Sequence, residues 1–358
     1  MTPRERVITA LNRERPDRVP FELSFGAFTP ALMARFIALT GETDPAEYWN
    51  FPVRSVGYRY DHSDELWRKY AAFYPPELPV GATISAFGIV SLPGTYYHFR
   101  RGLHPLRNAT TTAEIVEFPL PDPTEPVGYA HLNSSVAALH GRGLAAQGDL
   151  YCTIFETAWG IRGMENLLTD FVLRPEMAEA LLERLSTMRV IQARQLAESG
   201  VAILRLGDDI GMQHGMLMSP ELWRHYLKPR LAQVIRAARE VKPDLHVFYH
   251  SDGNCEAVIP DLIEIGVTAL NPVQPECMDP VALKAEFGDR LAFWGTVGTQ
   301  STMPFGTPEE VRTTVRDRIR IVGKNGGLVI APTHVLEPEV PWKNILAFID
   351  AVEEYGAY

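Results

Sequence analysis

Two stretches of the chain, VAILRLGDD at 201–209 and LHVFYHSDG at 245–253, share one plan. Each is a short run of apolar and β-branched residues that ends in charged or polar side chains. A run of this length and composition is typical of a strand buried on both faces of a parallel sheet. A longer segment with helical spacing of its apolar residues follows, so each stretch predicts a strand and then a helix.

The same unit recurs along the chain. The other apolar runs are RVPFEL (18–23), VRSVGYRY (53–60), LAAQGDLYCTIFE (144–156), VTALNP (267–272), LAFWGT (291–296) and GLVIAPTH (327–334). About eight parallel strands that alternate with helices close into a (β/α)8 barrel, the TIM barrel. We therefore predict an α/β fold with one TIM-barrel domain over residues 1–358, and an open doubly wound sheet is the alternative.

The sequence also predicts where several helices begin and where one stretch interrupts the alternation of strands and helices. Ser219-Pro220-Glu221 and Thr307-Pro308-Glu309-Glu310 place a hydroxyl N-cap before a proline and acidic residues, which predicts two helix N-termini. The segment 175–200 has the apolar spacing of an outer barrel helix, and the charged N-terminus is an amphipathic helical segment. The stretch from Asp61 to Pro126 is rich in Pro, Gly and Tyr. We predict that it is an excursion after the second strand that forms a lid.

Composition excludes several classes of protein. Acidic residues outnumber basic ones by 44 to 34, and the formal net charge of −10 argues against a nucleic-acid partner. The three cysteines, Cys152, Cys255 and Cys277, have no paired spacing, which argues against a disulfide framework. We find no signal-peptide pattern and no apolar run of membrane-spanning length. We therefore expect a cytoplasmic protein with a small-molecule substrate and no membrane partner, and a homodimer is compatible with this expectation.

The candidate functional residues are the polar side chains that close the apolar runs, because the active site of a TIM barrel lies at the C-terminal ends of its strands. They are Glu156, Asp208, Asp209, His250, Asp252, Asn271, Gln274, Thr296, Gln300, His334 and Glu337. Among them and in the loop after the run at 201–209, we predict a group of substrate contacts. This group consists of Glu156, Asp208, Gln213, Gln274, Thr296 and Gln300.

The segment YHSDGN gives the sharpest chemical prediction. Residues two apart on an extended strand point to the same side, so His250 and Asp252 converge on one centre. His334 ends the last strand and opens onto the same mouth, and two imidazoles with a carboxylate suit Zn²⁺, Mn²⁺ or Fe²⁺. We predict that His250, Asp252 and His334 hold a divalent ion, with Zn²⁺ first. The alternative is a buried core histidine beside an Asx-turn residue that precedes Gly253.

Other residues near the predicted mouth have open roles. Of the adjacent Asp208 and Asp209, one should face inward, and we predict Asp209 as a catalytic acid or substrate anchor, with His250 and Asp252 also catalytic. The alternative is that the aspartate pair caps the helix or loop that leads to Ser219. Glu156 has the alternative of a turn carboxylate that binds backbone amides. Cys277 is either an extra metal ligand or a small buried residue.

With these segments in view, the chain resembles the uroporphyrinogen-decarboxylase superfamily, which includes the decarboxylase of haem biosynthesis and zinc-dependent methyltransferases that work with corrinoid proteins. The resemblance covers nearly the whole chain. It rests on seven segments, TPRERVITALNRERPDRVPF (2–21), GDDIGMQHGMLMSPELWRHYLKPRL (207–231), HSDGN (250–254), LNPVQPECMDPVALKAEFGDRLAFWGTVGTQ (270–300), FGTPEEV (305–311), GGLVIAPTH (326–334) and PWKNILAFIDAVEEYG (341–356).

The resemblance implies a choice between two branches. The true decarboxylase carries an arginine-rich motif after its first strand, whereas FELSFGAFTP at 21–30 has no arginine. The methyltransferase branch holds zinc with a His-x-Cys pair and a later Cys, where this chain has His250-Ser251-Asp252 and Pro332-Thr333-His334. The resemblance therefore implies a metal-assisted methyltransferase or demethylase whose corrinoid arrives on a partner protein. A decarboxylase-like lyase is the alternative, and a ligand-binding barrel without catalysis is the third reading.

Overall fold

The computed structural model describes residues 1–24, 28–60, 64–94 and 101–358. Seven parallel strands form one sheet in chain order, and each of them falls on a predicted apolar run, with one strand extending a single residue beyond its run, at Val297. They are β1 (Val53–Gly57), β2 (Ala145–Asp149), β3 (Ile203–Gly207), β4 (His246–His250), β5 (Ala269–Asn271), β6 (Ala292–Val297) and β7 (Leu328–Pro332). The α/β prediction and the parallel order are confirmed.

The eighth position of the sheet belongs to the first apolar run. Phe21 forms a parallel bridge with Ile330 of β7. The Ile330 amide donates to Pro20 O at 3.0 Å, and the Glu22 amide donates to Ile330 O at 3.2 Å. Pro20 has no N–H with which to extend a ladder, so this run pairs over a single bridge rather than as a full strand. The architecture is that of a TIM barrel, as predicted.

The helices lie between the strands and around the sheet. Their bounds are α1 (Pro3–Leu11), α2 (Pro30–Thr40), α3 (Pro45–Tyr48), α4 (Asp64–Tyr70), α5 (Thr112–Glu117), α6 (Pro126–Tyr129), α7 (Leu132–Gly141), α8 (Phe155–Arg162), α9 (Met164–Leu173), α10 (Pro175–Glu198), α11 (Pro220–Tyr226), α12 (Lys228–Val241), α13 (Ile259–Glu264), α14 (Pro280–Phe287), α15 (Thr302–Phe305), α16 (Pro308–Ile321) and α17 (Trp342–Tyr355). Short 3₁₀ turns occupy Ala71–Phe73 and Glu256–Val258.

Both predicted helix starts are confirmed. Ser219 accepts a hydrogen bond from the Leu222 amide at the start of α11, and Thr307 forms a reciprocal capping box with Glu310 at the start of α16. Within the described ranges, none of the helices is both long and apolar enough to cross a membrane.

The barrel interior is apolar at its N-terminal end. Val7 and Leu11 of α1 pack against strand residues such as Ile203 and Phe248, so the N-terminal helical segment closes this end of the barrel. Burial of such side chains stabilises the fold by about 1.5–3 kcal/mol for each large one. The other end of the barrel is left for polar residues.

The predicted excursion follows β1, the second strand in the barrel. It contains a small antiparallel sheet formed by Thr83–Ile84, Val90–Ser91 and Gly102–Leu103, and it ends with α5, which packs on α10. Arg184 of α10 holds this end by donating to two backbone carbonyls at 2.6 Å each. Residues 61–63 and 95–100 of the excursion, and 25–27 of FELSFGAFTP, lie outside the described residues. Its role as a lid remains a prediction.

Candidate metal centre at the strand ends

His250 ends β4 and is fully buried. Its Nδ1 lies 2.6 Å from Oδ1 of Asn271, which the parallel ladder places beside it. The Asn271 amide nitrogen donates to Trp294 O at 3.1 Å, which identifies Oδ1 as the atom facing the histidine. Because an amide oxygen only accepts, His250 carries its proton on Nδ1. Nε2 is therefore the ring nitrogen that faces the strand-end carboxylates and is available to a metal ion.

Gly207 makes room for this histidine on the neighbouring strand. The two residues are partners in the β3–β4 ladder. A Cβ added at Gly207 would lie 2.6 Å from His250 Cβ and 2.8 Å from His250 O, which is closer than real Cβ contacts allow. The glycine is therefore required by a close approach of two strands beneath the site.

Two aspartates converge on His250. Its Nε2 lies 3.5 Å from Asp209 Oδ1 and 3.8 Å from Asp252 Oδ1. One ligand atom from each of the three residues lies within 4.8 Å of the other two. His334 approaches from the end of β7, with its Nε2 3.5 Å from Asp252 Oδ2. The structure thus joins Asp209 to the predicted pair of His250 and Asp252, and His334 contacts the group through Asp252.

The loops that carry the two aspartates are tied to each other. Asp209 Oδ1 accepts a hydrogen bond from the Asp252 amide at 2.8 Å. The Gly253 amide donates to Gln274 Oε1 at 2.6 Å. A short hairpin, Gly211–Met216, lies against the second loop so closely that a Cβ at Gly211 would be 2.6 Å from Asp252 O. The loops that carry the two aspartates are therefore held in position next to each other.

The electrostatics of the site favour a cation. Burial raises the pKa of Asp252 to about 6; the charge of His250 opposes this shift and the charge of Asp209 adds to it. Among the described residues, none donates a hydrogen bond to the buried Oδ1 of Asp252. Two neighbouring carboxylates with a buried oxygen lose their mutual repulsion when a divalent cation lies between them.

The donor set also fits the metals that the sequence predicts. Carboxylate oxygens and an imidazole nitrogen bind Zn²⁺, Mn²⁺ and Fe²⁺, whereas soft metals prefer sulfur. Cys277 Sγ lies 3.7 Å from Gln274 Oε1, and burial raises the pKa of this thiol. The described residues that form the group include no cysteine.

The side chain of Asp208, which follows β3, reaches the start of α8, and Glu156 lies in the first turn of that helix. Asp208 accepts hydrogen bonds from the amides of Ile154 at 3.1 Å and Glu156 at 2.9 Å, so it caps this helix. Burial raises the pKa of Asp208 to about 7, and these amide donors oppose the shift. The cap that we considered as an alternative is thus present, but it serves α8 rather than the segment leading to Ser219.

The expectation that Glu156 directly follows a strand is wrong. β2 ends at Asp149, and Glu156 lies in the first turn of α8. It still reaches the site, because its Oε2 accepts a hydrogen bond from the Asp209 amide at 3.2 Å. Burial, followed by the charges of Asp209 and Asp208, raises the pKa of Glu156 well above its ordinary value.

The remaining predicted contacts are dispersed. Gln213 is exposed and donates to Glu276 O at 2.9 Å, and Gln300 is exposed after β6. Gln274 is buried beneath the Gly253 amide. Thr296 is fully buried within β6, with φ of 78°, a conformation that is rare for a β-branched residue. Its Oγ1 makes no hydrogen bond within the described part of the chain. Of these four, Thr296 has the features of a strained functional position.

Sequence reasoning missed Tyr151, which lies next to His250, and Arg205, which contacts Tyr151. The Tyr151 ring lies 5.5 Å from the His250 ring in an edge-on arrangement, and Arg205 Cζ lies 4.8 Å from the Tyr151 ring centroid. A single arginine inside the apolar run VAILRLG was the available signal, because a charged side chain in a strand buried on both faces requires partners.

This fold and site define an α/β barrel protein with a cluster of polar and acidic residues at its strand ends. The family model described as uroporphyrinogen decarboxylase (URO-D) matches residues 152–355, which is more than half of the chain and includes Asp209, His250, Asp252 and His334. The chain belongs to this family.

Relatives of two kinds are similar to the chain. The methylcobamide:CoM methyltransferase MtaA of Methanosarcina barkeri is 24% identical over 187 residues, which cover 52% of this chain and 51% of MtaA. The alignment thus spans about half the length of this relative. Uroporphyrinogen decarboxylase of Pseudomonas fluorescens is 24% identical over 273 residues, 74% of each chain. A solved methyltransferase from Methanosarcina mazei has the same fold, with a TM-score of 0.66, 17% identity and 99% of each chain covered.

Replacing Asn271 by leucine tests the orientation of His250. The variant removes the acceptor at Nδ1 while keeping a side chain of similar size, so we expect Zn²⁺ affinity to fall about 10- to 100-fold. A competition titration with a zinc chelator measures this change. Asn271→Asp keeps an acceptor oxygen at this position and serves as the control. Equal zinc affinity of Asn271→Leu and the unmodified protein would show that Asn271 does not orient a ligand.

Proposed function

We propose that the protein is a metal-assisted methyltransferase or demethylase that acts on a small methylated substrate and passes the methyl group to a corrinoid carried by a partner protein. The observation that supports this most strongly is the convergence of Asp209, His250 and Asp252 within 4.8 Å. In this proposal these three residues hold a divalent ion, with Zn²⁺ first, and His334 assists them through Asp252.

Each residue has a separate task in this proposal. A bound divalent ion would act as a Lewis acid on the heteroatom that carries the methyl group. His250 offers Nε2 because Asn271 holds the proton on Nδ1. Asp252 is held by its backbone N–H to Asp209, so both carboxylates stay on the same side of the mouth. Glu156 and Gln274 are the proposed substrate contacts that accept hydrogen bonds from the two aspartate loops, at the Asp209 and Gly253 amides. The other proposed substrate contacts are Asp208, Gln213, Thr296 and Gln300.

The similarity to MtaA supports the methyltransferase class. The residues of this chain differ in one chemical respect from the zinc site that the resemblance implies, because Asp252 and His334 stand where that branch has cysteines. Thiolates donate more negative charge to zinc than carboxylate and imidazole do, so a zinc ion held by the residues of this chain would be a stronger Lewis acid. We therefore propose an ether, an amine or a carboxylate ester as the methyl donor, rather than transfer to a thiol.

A methyl-transfer assay tests this function. The metal-loaded protein is incubated with a panel of O-methyl and N-methyl compounds and a reduced corrinoid protein. The expected result is conversion of the cob(I)alamin spectrum to that of methyl-cob(III)alamin with at least one donor. The absence of spectral change over a broad panel, with metal bound to the protein, would favour the lyase.

The lyase remains the second candidate because the uroporphyrinogen decarboxylase of Pseudomonas fluorescens aligns over 74% of each chain. We nevertheless expect no coproporphyrinogen from uroporphyrinogen III at rates normal for an enzyme. FELSFGAFTP at 21–30 contains no arginine with which to pair several substrate carboxylates, and each unpaired carboxylate costs several kcal/mol to desolvate. An anaerobic assay with separation of the products measures this. Rapid formation of coproporphyrinogen would restore the decarboxylase reading.

A further inference from the structure

Arg205 is a buried cation inside the barrel. It lies in the middle of β3, where the parallel ladders pair it with Asp149 of β2 and Phe248 of β4. Neighbours in a parallel ladder face the same side, and Phe248 belongs to the interior cluster, so Arg205 also faces inward. The residue is 7% exposed. A charge at this depth requires partners of opposite charge or a ligand that supplies them.

Among the described residues, the rings of Tyr151 and Phe248 contact the guanidinium. Its Cζ lies 4.8 Å from the Tyr151 ring centroid and 6.0 Å from that of Phe248. Contacts of this kind engage the flat faces of a guanidinium and leave its N–H groups directed outward in the plane. This planar edge matches the two oxygens of a carboxylate.

Asp149 is a loose partner of this edge. Its Oδ2 lies 3.5 Å from Arg205 Nη1, whereas a charge-assisted N–H···O bond is about 2.7–2.9 Å long. Its other oxygen, Oδ1, accepts a hydrogen bond from the Tyr151 amide at 3.0 Å. The Asp149 side chain is 33% exposed and that of Arg205 is 8% exposed. A ligand that enters from the mouth therefore reaches the guanidinium on the side where Asp149 stands.

The Tyr151 ring contacts both the Arg205 guanidinium and His250 of the candidate metal centre. The Tyr151 ring contacts Arg205 through its face and lies edge-on to the His250 ring, with 5.5 Å between centroids. A small molecule that binds both Arg205 and the centre has an anionic end and a reacting end separated by about this ring. The same tyrosine borders both groups, so it defines the wall between them.

We propose that Arg205 binds a carboxylate of the substrate, which makes the substrate a small methylated carboxylic acid. The identity of the methylated part rests on the proposed function. Carboxylate binding itself depends on Arg205 and needs neither a metal nor methyl transfer. In the ligand-bound protein, the substrate carboxylate replaces Asp149 as the closest acidic partner of the guanidinium.

The variant Asp149→Asn distinguishes a ligand-binding Arg205 from an Arg205–Asp149 ion pair that is only structural. Asp149→Asn retains an oxygen for the Tyr151 amide and removes the competing charge. If Arg205 is a ligand anchor, this variant binds carboxylates more tightly than the unmodified protein does. If the pair is only structural, the variant gains no affinity and loses thermal stability.

The experiment measures binding by isothermal titration calorimetry to the full chain, with and without Zn²⁺. The probes are two carboxylates, methoxyacetate and 2-methoxybenzoate, and their neutral amides, 2-methoxyacetamide and 2-methoxybenzamide. The variants are Asp149→Asn, Arg205→Met and Arg205→Lys. The control is Arg194→Met, which removes an arginine that is 44% exposed and pairs with Glu240 on the outer helices.

We expect at least one carboxylate to bind about tenfold more tightly than its amide, as charge-assisted hydrogen bonds allow. Asp149→Asn should tighten carboxylate binding further, Arg205→Met should remove the preference, and Arg205→Lys should keep part of it. Circular dichroism verifies that each variant is folded, and if Arg205→Met is not folded, Arg205→Lys and Asp149→Asn carry the test.

Equal binding of carboxylates and amides by Asp149→Asn, or no binding of either, would overturn the assignment of Arg205. So would a preference for carboxylates that survives in Arg205→Met. Carboxylate binding without methyl transfer would contradict only the proposed function, because the calorimetric result does not depend on that reaction.

Discussion

Replacing His250 by alanine should reduce methyl transfer by about three orders of magnitude, because the loss of Lewis-acid stabilisation removes several kcal/mol from the transition state. The reason lies in the geometry of one atom. His250 Nε2 lies 3.5 Å from Asp209 Oδ1 and 3.8 Å from Asp252 Oδ1, so it is the nitrogen ligand between two carboxylates. The measurement is the rate of methyl-cob(III)alamin formation, together with the zinc content of the purified variant.

His246 provides a matched control for this variant. It is also a histidine of β4, but it lies at the first residue of the strand and therefore at the opposite end of the barrel. Burial lowers the pKa of His246 to about 4, so its side chain is neutral at pH 7. Replacing it by leucine therefore leaves the charge of the protein unchanged. His246→Leu should keep zinc and methyl transfer, whereas His250→Ala should lose both while its circular dichroism spectrum is retained. Equal rates for His250→Ala and the unmodified protein would exclude His250 from the reaction.

The second large effect is expected from Gly207→Ala, a change of one methyl group. The added Cβ would lie 2.6 Å from His250 Cβ, and the contact is with a neighbouring strand that cannot move away freely. We expect His250 to shift out of line with the aspartates, and zinc affinity to fall more than about 100-fold because ligand geometry is lost. Overpacking of a well-packed site also costs about 1–3 kcal/mol of stability.

Gly57→Ala is the control for the glycine variant. Gly57 also ends a barrel strand, but a Cβ there would meet its nearest neighbour, Asp149 Cβ, at 3.4 Å, an ordinary contact. Zinc titration and thermal unfolding should therefore distinguish the two variants. If Gly207→Ala binds zinc as tightly as Gly57→Ala, the close approach of β3 to His250 does not define the site.

The strands were predictable because buried parallel strands have a strong local signature. The run at 201–209 contains β3, and the run at 245–253 contains β4. The long run at 144–156 was different, because its apolar residues continue past the strand. β2 ends at Asp149, and α8 is capped by Asp208 from a distant part of the chain. Contacts between residues so far apart in sequence leave no local pattern, and Glu156 was therefore assigned to a strand end.

The sequence indicated which residue types form the candidate site, but it indicated less well which of these residues come together. The spacing of His250 and Asp252 in YHSDGN indicates that they converge, and the structure has both on the same side. The adjacent Asp208 and Asp209 differ only in the direction that the backbone gives them after β3. Asp208 caps α8, and Asp209 faces His250. We predicted Asp209 as the functional member of this pair, but no sequence pattern assigns it as a metal ligand, so that candidate role required coordinates.

The central claim is that Asp209, His250 and Asp252 bind one divalent ion. The most direct test is a crystal of protein purified without chelators, with anomalous diffraction measured on both sides of the zinc absorption edge and, for comparison, the manganese and iron edges. We predict one anomalous peak per chain, within coordination distance of Asp209, His250 and Asp252. A map with no anomalous peak at these residues after zinc supplementation, or with the ion bound elsewhere on the chain, would contradict the claim.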